Sequence, residues 1–382
     1  MSKVAIISNN AFSLVNFRTH FIKDLVANDR KVYALAPDFT DYERKHIRII
    51  GAEPVDYFMD RTGQNAFKDV RSLVSLVKTL KKITPDISFS YGIKPVVYGL
   101  WASRLANVDK RYAMVAGLGT LYVDRDNETL KEKGRKKLAD YLYKFSLPFA
   151  DKVFFQNPDD IELFTDKNII NPAKACLIKG SGVDIDHYRT NHIQKDPLRF
   201  TLVSRLIKEK GIYEFVEAAR IIKSQYPQKD IKFILLGGVD ANLNSVREAE
   251  LNEWVDDEII EWPGHVDDVK GWLEKTSVFV LPTYYREGTP KSILEAMAMG
   301  RPVITTDMPG CREAVKHQKN GVLIEPKNVQ QLVDAMKQFI TNTLLIDTYG
   351  KESRKMAVAR YDVKEVNKKI LHTIGISAGG PS

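Results

Sequence analysis

The feature that most constrains the fold is a rhythm: strand-length apolar runs alternate with helix-length amphipathic segments, and the rhythm stops and restarts once. In the first half the strand-like runs fall at residues 4–8, 31–36, 87–90, 111–115 and 152–156, with helical patterns such as 16–27 and 67–82 between them. In the second half they fall at 200–204, 232–236, 258–262, 277–282 and 302–306. Strands that alternate with helices build parallel sheets covered on both faces. The interruption runs from Gly180-Ser181-Gly182-Val183-Asp184 to Gln194-Lys195-Asp196-Pro197, where glycine and proline displace periodic apolar residues. The reading is an α/β chain of two Rossmann-like, doubly wound domains, 1–190 and 191–362, facing a central cleft. Residues 363–376 form a helix that crosses back to the first domain, and 377–382 are a flexible tail. Such sheets bind ligands outside the carboxyl ends of their strands.

The 382 residues exceed what one ordinary domain needs. No stretch approaches the roughly 20 apolar residues of a membrane span. The apolar run after Met1 is too short for a signal peptide and reads as the first strand. Cys176 and Cys311 give neither a disulfide framework nor metal-ligand spacing, which fits a reducing cytoplasm. A net charge of +8 admits three partners: nucleic acid, anionic lipid, or phosphate-bearing small molecules.

One segment carries chemistry. After the strand ending at Pro282 comes Thr283-Tyr284-Tyr285-Arg286-Glu287-Gly288-Thr289-Pro290-Lys291-Ser292, then a helix that Gly300 ends. Thr289 is expected at the N-cap and Pro290 at the first helical position. The free amides and positive dipole end of this helix suit a diphosphate, and Lys291 adds charge. Glu287 and Glu295, with seven residues between them, are placed to touch opposite ends of one bound nucleotide sugar. Taken alone, Glu295 reads equally as a surface position beside the apolar face of Ile293, Leu294, Met297 and Ala298.

The two glutamates, with Gly288 and the following helix and strand, resemble the donor-site signature of retaining family-4 glycosyltransferases of the GT-B fold. Upstream, Leu202-Val203-Ser204-Arg205-Leu206-Ile207-Lys208-Glu209-Lys210-Gly211 resembles the same family's strand-Arg-Lys-Gly motif. The resemblance implies that Arg205 and Lys210 hold the donor diphosphate and stabilise its charge as the sugar–phosphate bond breaks. It implies that Glu287 positions the transferred sugar and that Glu295 accepts hydrogen bonds from ribose hydroxyls. Gly237 and Gly238 end a strand where backbone approaches the ligand closely; the resemblance implies that the loop Pro263-Gly264-His265-Val266 borders the nucleobase, whereas His265 taken alone reads as structural. Gly288, Thr289, Pro290, Lys291 and Ser292 complete the donor side.

In the first half, Ile93-Lys94-Pro95-Val96-Val97-Tyr98-Gly99 and Ala113-Met114-Val115-Ala116-Gly117-Leu118-Gly119 resemble a bacterial subgroup that extends undecaprenyl-diphosphate-linked sugars. The subgroup implies a UDP-sugar donor, first choice N-acetylgalactosamine in α-1,3 linkage, and a polyprenyl-diphosphate-linked saccharide as acceptor. It also implies peripheral attachment to the cytoplasmic face of the inner membrane, with no cofactor, metal or nucleic acid required. Acceptor-side candidates are Asn9, Asn10, Ser13, Lys94, Gly117 and Gly119. Two positions depart from many relatives: the first loop is Ser8-Asn9-Asn10-Ala11-Phe12-Ser13 rather than glycine-rich, and Ile93 stands where some carry histidine.

Asp124-Arg125-Asp126 and Asp184-Ile185-Asp186 have a metal-site spacing known from a different glycosyltransferase fold, but neither follows the appropriate strand. Between residues 131 and 149 Lys131, Lys133, Arg135, Lys136, Lys137 and Lys144 interleave with Tyr141, Leu142, Phe145, Leu147 and Phe149. Such a basic amphipathic segment suits an anionic leaflet or, alternatively, packing of its apolar side on its own domain. Among rivals, a nicotinamide dehydrogenase lacks its G-x-G-x-x-G here, whereas a GT-B-fold nucleotide-sugar epimerase and a transferase using a soluble acceptor stay as alternatives.

Overall fold

The computed structural model describes residues 1–60, 65–123, 128–190, 192–239 and 244–376. The chain divides into two compact units, Met1–Ser181 with Val363–Ser382, and Gly182–Asp362. Asp124-Arg125-Asp126 and the tail at 377–382 lie outside the described residues.

In the first unit seven parallel strands lie side by side in the order Glu53–Asp56, Lys31–Ala36, Lys3–Ile7, Ile87–Tyr91, Lys110–Val115, Lys152–Phe155, Ala175–Leu177. In the second unit six follow the same plan: Glu261–Gly264, Ile231–Leu236, Leu198–Val203, Val278–Leu281, Val303–Thr306, Gly321–Ile324. In each, chain order reverses beside the first strand, between Lys3–Ile7 and Ile87–Tyr91 and between Leu198–Val203 and Val278–Leu281. That reversal is the switch point where doubly wound sheets leave a ligand crevice.

The long strands read correctly from sequence because they are buried on both faces and hence continuously apolar; Val4, Ala5, Ile6 and Ile7 are fully buried. Glu53–Asp56, Ala175–Leu177 and Gly321–Ile324 escaped notice, being short and at sheet edges. The strand expected at 258–262 begins only at Glu261, because Glu258 sits at φ 55°, outside strand geometry. The first helix spans Ala11–Ala27, five residues earlier than the pattern suggested, because the Asn10 side chain accepts the Ser13 amide and caps it.

The boundary between the units falls at 181/182 rather than 190/191. Backbone hydrogen bonding explains the shift. The Val183 amide donates to the Tyr361 carbonyl at 2.8 Å, and the Arg354 guanidinium donates to the Ile185 and Tyr188 carbonyls at 3.2 and 2.9 Å. Residues 182–190 are thereby part of the second unit. The helix Val363–Thr373 belongs to the first unit: Val366, Ile370 and Leu371 pack with Val4, Phe21 and Leu25, and Asn367 donates to Asp24 Oδ2 at 2.7 Å.

Candidate functional site

At the switch point of the second unit, Leu198–Val203 runs into Ser204-Arg205, a single 3₁₀ turn Lys208–Lys210, and the helix Ile212–Gln225. Gly211 joins turn to helix at φ 78°; a β-carbon there would lie 2.2 Å from the Pro282 carbonyl oxygen. Only glycine permits that approach. The Glu209 carbonyl then accepts three bonds from the neighbouring strand's exit: the Tyr284 and Tyr285 amides at 2.9 and 3.0 Å and the Thr283 hydroxyl at 3.0 Å. These bonds tie the two strand-end loops together and so fix where Lys210 and Tyr285 stand.

Lys210 forms an ion pair with Glu287, and their side chains are only 10% and 13% exposed. The Lys210 ammonium also lies 4.9 Å from the centre of the Tyr285 ring, and the exposed Arg205 guanidinium lies 5.8 Å from the same centre. Cations are attracted to an aromatic face at such distances, so one ring orients both. Behind Glu287, the Cys311 thiol is pushed up to about 12, first by burial and then by the Glu287 charge. Gly310, at φ 86°, would carry a β-carbon 1.4 Å from the Gly288 carbonyl oxygen, so glycine there lets the next loop close over the Glu287-Gly288 segment.

The helix after this segment spans Lys291–Ala298, with Pro290 at the N-cap and no side-chain cap bond. Thr289 was expected at that cap. Pro290 takes it instead, at φ −60° and ψ 121°, an extended conformation that hands the first helical position to Lys291. A helix start without a side-chain cap, led by a lysine, is chemically suited to an anion. Within the helix, Glu295 is buried rather than on a solvent face. Lys291 Nζ stands 3.3 Å from it, and the Tyr188 hydroxyl hydrogen-bonds to it. Burial, then the Glu295 charge, holds that phenol well above its usual value. The structure thus brings together Arg205, Lys210 and Glu287 around Tyr285, and separately Lys291 and Glu295 with Tyr188.

Gly237 needs its lack of a side chain within the fold itself. A β-carbon there would meet the Ser204 carbonyl oxygen at 2.0 Å, so the close approach comes from the adjoining loop. Its amide donates to the Gly264 carbonyl at 3.0 Å and its carbonyl accepts from Trp262 Nε1 at 2.9 Å. A β-carbon on Gly238 would make ordinary contact with His265 at 3.4 Å; the His265 ring is exposed, 3.7 Å from Asp267. Asp184 Oδ1 accepts the amides of Asp186 and His187 at 3.0 and 2.9 Å, which makes Asp184-Ile185-Asp186 a turn. Among the described residues no group of three or more His, Cys, Asp or Glu is placed to hold a metal ion.

In the first unit Asn9, Asn10 and Ser13 follow Lys3–Ile7 and Lys94 follows Ile87–Tyr91, the two strands of the equivalent switch point, whereas Gly117 and Gly119 follow Lys110–Val115. Asn10 Oδ1 takes the amide and hydroxyl of Ser13 at 2.7 and 2.6 Å, and Asn9 Oδ1 takes the Asn10 amide group at 3.0 Å. Lys94 is tied to Asp69 at 2.8 Å and to the Asp60 carbonyl at 2.7 Å. Gly117 and Gly119 adopt φ 113° and 68°, conformations that favour glycine. Sequence reasoning missed Tyr285, although it lies inside the quoted motif. It missed Tyr188 because the seam had assigned that residue to the other domain.

Fold and site together define a glycosyltransferase with the GT-B architecture, and comparison with known proteins agrees. Residues 197–342 match the family model of glycosyl transferases group 1. It is 27% identical to the Campylobacter jejuni N,N'-diacetylbacillosaminyl-diphospho-undecaprenol alpha-1,3-N-acetylgalactosaminyltransferase, over 97% of each chain. It is also 27% identical to the Escherichia coli UDP-Gal:alpha-D-GlcNAc-diphosphoundecaprenol alpha-1,3-galactosyltransferase, over 79% of this chain and 78% of that one. Among solved structures, Anabaena HepE in complex with UDP and glucose superposes with a TM-score of 0.76 at 17% identity, covering 98% of this chain and 100% of that one. Sucrose-phosphate synthase from Thermosynechococcus elongatus does so with a TM-score of 0.80 at 17% identity, covering 98% of each.

Proposed function

We propose that this enzyme transfers a sugar from a UDP-sugar, with retention, to a saccharide carried on a polyprenyl diphosphate at the cytoplasmic face of the membrane. The first-choice sugar is N-acetylgalactosamine, in α-1,3 linkage. The observation that carries the reading is the Lys210–Glu287 pair on the Tyr285 ring, with Arg205 beside it, at the exit of two switch-point strands. The named activities of the Campylobacter and Escherichia relatives support donor and acceptor class. No helix among the described residues is long and apolar enough to cross a membrane, which is compatible with a surface-attached enzyme.

In the reaction the bond from the sugar's anomeric carbon to the donor's β-phosphate oxygen breaks, and an acceptor hydroxyl oxygen bonds to that carbon. The hydroxyl proton passes to the departing diphosphate on the same face. Arg205, Lys210 and the amides at the start of the Lys291–Ala298 helix take up the charge that develops on the diphosphate. Glu287 positions the donor sugar, and Glu295, held by Tyr188 and Lys291, accepts from the ribose hydroxyls. The chemistry requires no metal.

A panel of UDP-sugars, scored first for protection against thermal unfolding and then for transfer to a polyprenyl-diphosphate saccharide, tests the reading. Protection and transfer with UDP-N-acetylgalactosamine, unchanged by chelator, are expected. Interconversion of free nucleotide sugars without acceptor would make the enzyme an epimerase instead. Activity lost to chelator and restored by manganese would overturn the metal-free mechanism.

A further inference from the structure

The helix Leu130–Ser146 in the first unit carries two apolar faces. One packs inward through Ala139, Tyr143 and Ser146, with the Tyr143 ring 5.1 Å from Phe164. The other points to solvent: Leu138, Tyr141, Leu142 and Phe145 are 59%, 59%, 36% and 62% exposed. Their spacing, i, i+3, i+4 and i+7, places them in one stripe over the last two turns. A folded protein that gains nothing from such a stripe loses solubility by it, and contiguous exposed apolar surface marks an interaction site. Among the described residues the second unit has no comparable stripe: its exposed large apolar residues there are the scattered Val239, Val255, Leu344 and Val358.

Charge selects the partner. Both acidic residues of the helix are turned away from the stripe. Glu132 closes a capping box with Thr129, and Asp140 accepts from the Tyr122 hydroxyl and Lys167 Nζ, each at 2.7 Å. Lys136 also turns inward, 3.6 Å from Glu128. Lys131, Lys133, Arg135, Lys137 and Lys144 are all exposed. At 100° per residue, Arg135 flanks the stripe on one side and Lys137 and Lys144 on the other, while Lys131 lies on the stripe's own line two turns nearer the helix start. An apolar strip bordered by cations, with no acid on its face, complements the interfacial zone of an anionic lipid leaflet, where rings and aliphatic chains enter and ammonium groups stay at phosphate level.

We infer that this helix lies flat on an anionic leaflet, with Leu138, Tyr141, Leu142 and Phe145 inserted and Arg135, Lys137 and Lys144 at the headgroups. The sequence pattern grouped Leu147 and Phe149 with the lipid-facing residues. In the structure Leu147 is buried and the Phe149 ring packs on Trp101 at 4.7 Å, while Leu138 takes its place in the stripe. The inference deepens the lipid-linked acceptor proposed above and rests on it for its purpose.

The test is flotation of the full chain with vesicles of phosphatidylglycerol and phosphatidylethanolamine, alongside transfer to both a vesicle-borne polyprenyl acceptor and a short-chain, water-soluble diphosphate acceptor. Leu138→Ser/Phe145→Ser is expected to weaken vesicle binding about tenfold or more at every salt concentration. Lys137→Gln/Lys144→Gln is expected to weaken it at low salt and little at high salt. Both variants should keep parental transfer to the soluble acceptor, which also verifies that they fold. Parental vesicle binding by Leu138→Ser/Phe145→Ser overturns the inference. So does a change from dimer to monomer in sedimentation with unchanged vesicle binding, which would make the stripe a contact between copies. Vesicle binding that behaves as described while the parent transfers to neither acceptor would leave the docking surface standing and sink the proposed activity.

Discussion

Replacing Lys210 by methionine separates what the cation does for the fold from what it does for the reaction. Lys210 and Glu287 are each nearly buried, and the substitution keeps the length of the side chain but takes the Lys210 cation from the Glu287 carboxylate. Two unit charges at about 4 Å interact by roughly 4 kcal/mol at an effective dielectric near 20. Removing one member of a buried pair typically costs about 3–5 kcal/mol, because the other stays desolvated. The residual exposure of both side chains brings the expected loss to about 2–4 kcal/mol. In Lys210→Met/Glu287→Gln the buried carboxylate charge is removed as well, so stability should return to within about 1 kcal/mol of the parent. Turnover should not return. If Lys210 stabilises the departing diphosphate, single and double variants both lose about 10²–10³ in kcat. Urea unfolding followed by tryptophan fluorescence reports the right unit, since Trp254, Trp262 and Trp272 lie in it and Trp101 alone in the other. Turnover recovering together with stability in the double variant would refute the reasoning, because Lys210 would then act only as the partner of Glu287.

Arg205→Ala should lower transfer about 100-fold with little change in melting temperature, since its guanidinium is exposed and leans on Tyr285 rather than filling the core; near-parental transfer would remove it from the diphosphate site. Arg18 is fully buried against the Met114 sulfur and the Tyr91 ring, and desolvation lowers its pKa. Arg18→Met should therefore be neutral or stabilising by about 1–4 kcal/mol in urea unfolding, and a loss above about 2 kcal/mol would contradict the desolvation argument. Burial, then the Lys23 charge, holds the His46 imidazole below its usual value. The fold prefers the neutral ring, so the stability it contributes is present above about pH 6.5 and is lost as pH falls through the lower folded value. The decline in unfolding midpoint from pH 7 to pH 5 should be smaller in His46→Gln than in the parent; equal declines would place the titration elsewhere.

Much of the second unit's site was legible because its residues are close in sequence and each reports a local requirement. Arg205 and Lys210 follow one strand, Glu287 to Glu295 follow another, and the strands themselves are unbroken apolar runs. Less was legible in the first unit. Asn10 and Ser13 were read as candidates for the acceptor, and they form the cap of the first helix, a bond pattern that the residue types fit equally well. Lys94 read as an available cation and is tied to Asp69, a partner 25 residues away.

By itself, the sequence determined the alternation of strand and helix, the two sheets this implies, and the identity of the cations and carboxylates at the strand exits. These follow from local burial and local turn geometry, which a short window of residues expresses. Tertiary structure alone decided that Lys210 pairs with Glu287 across 77 positions, that Tyr285 supports two cations, and that Tyr188 reaches Glu295 from the second unit rather than the first. It alone decided which face of the Leu130–Ser146 helix meets solvent. The physical reason is common to all of them: pairing and burial depend on distances set by the whole packed core, and residue spacing along the chain does not encode those distances.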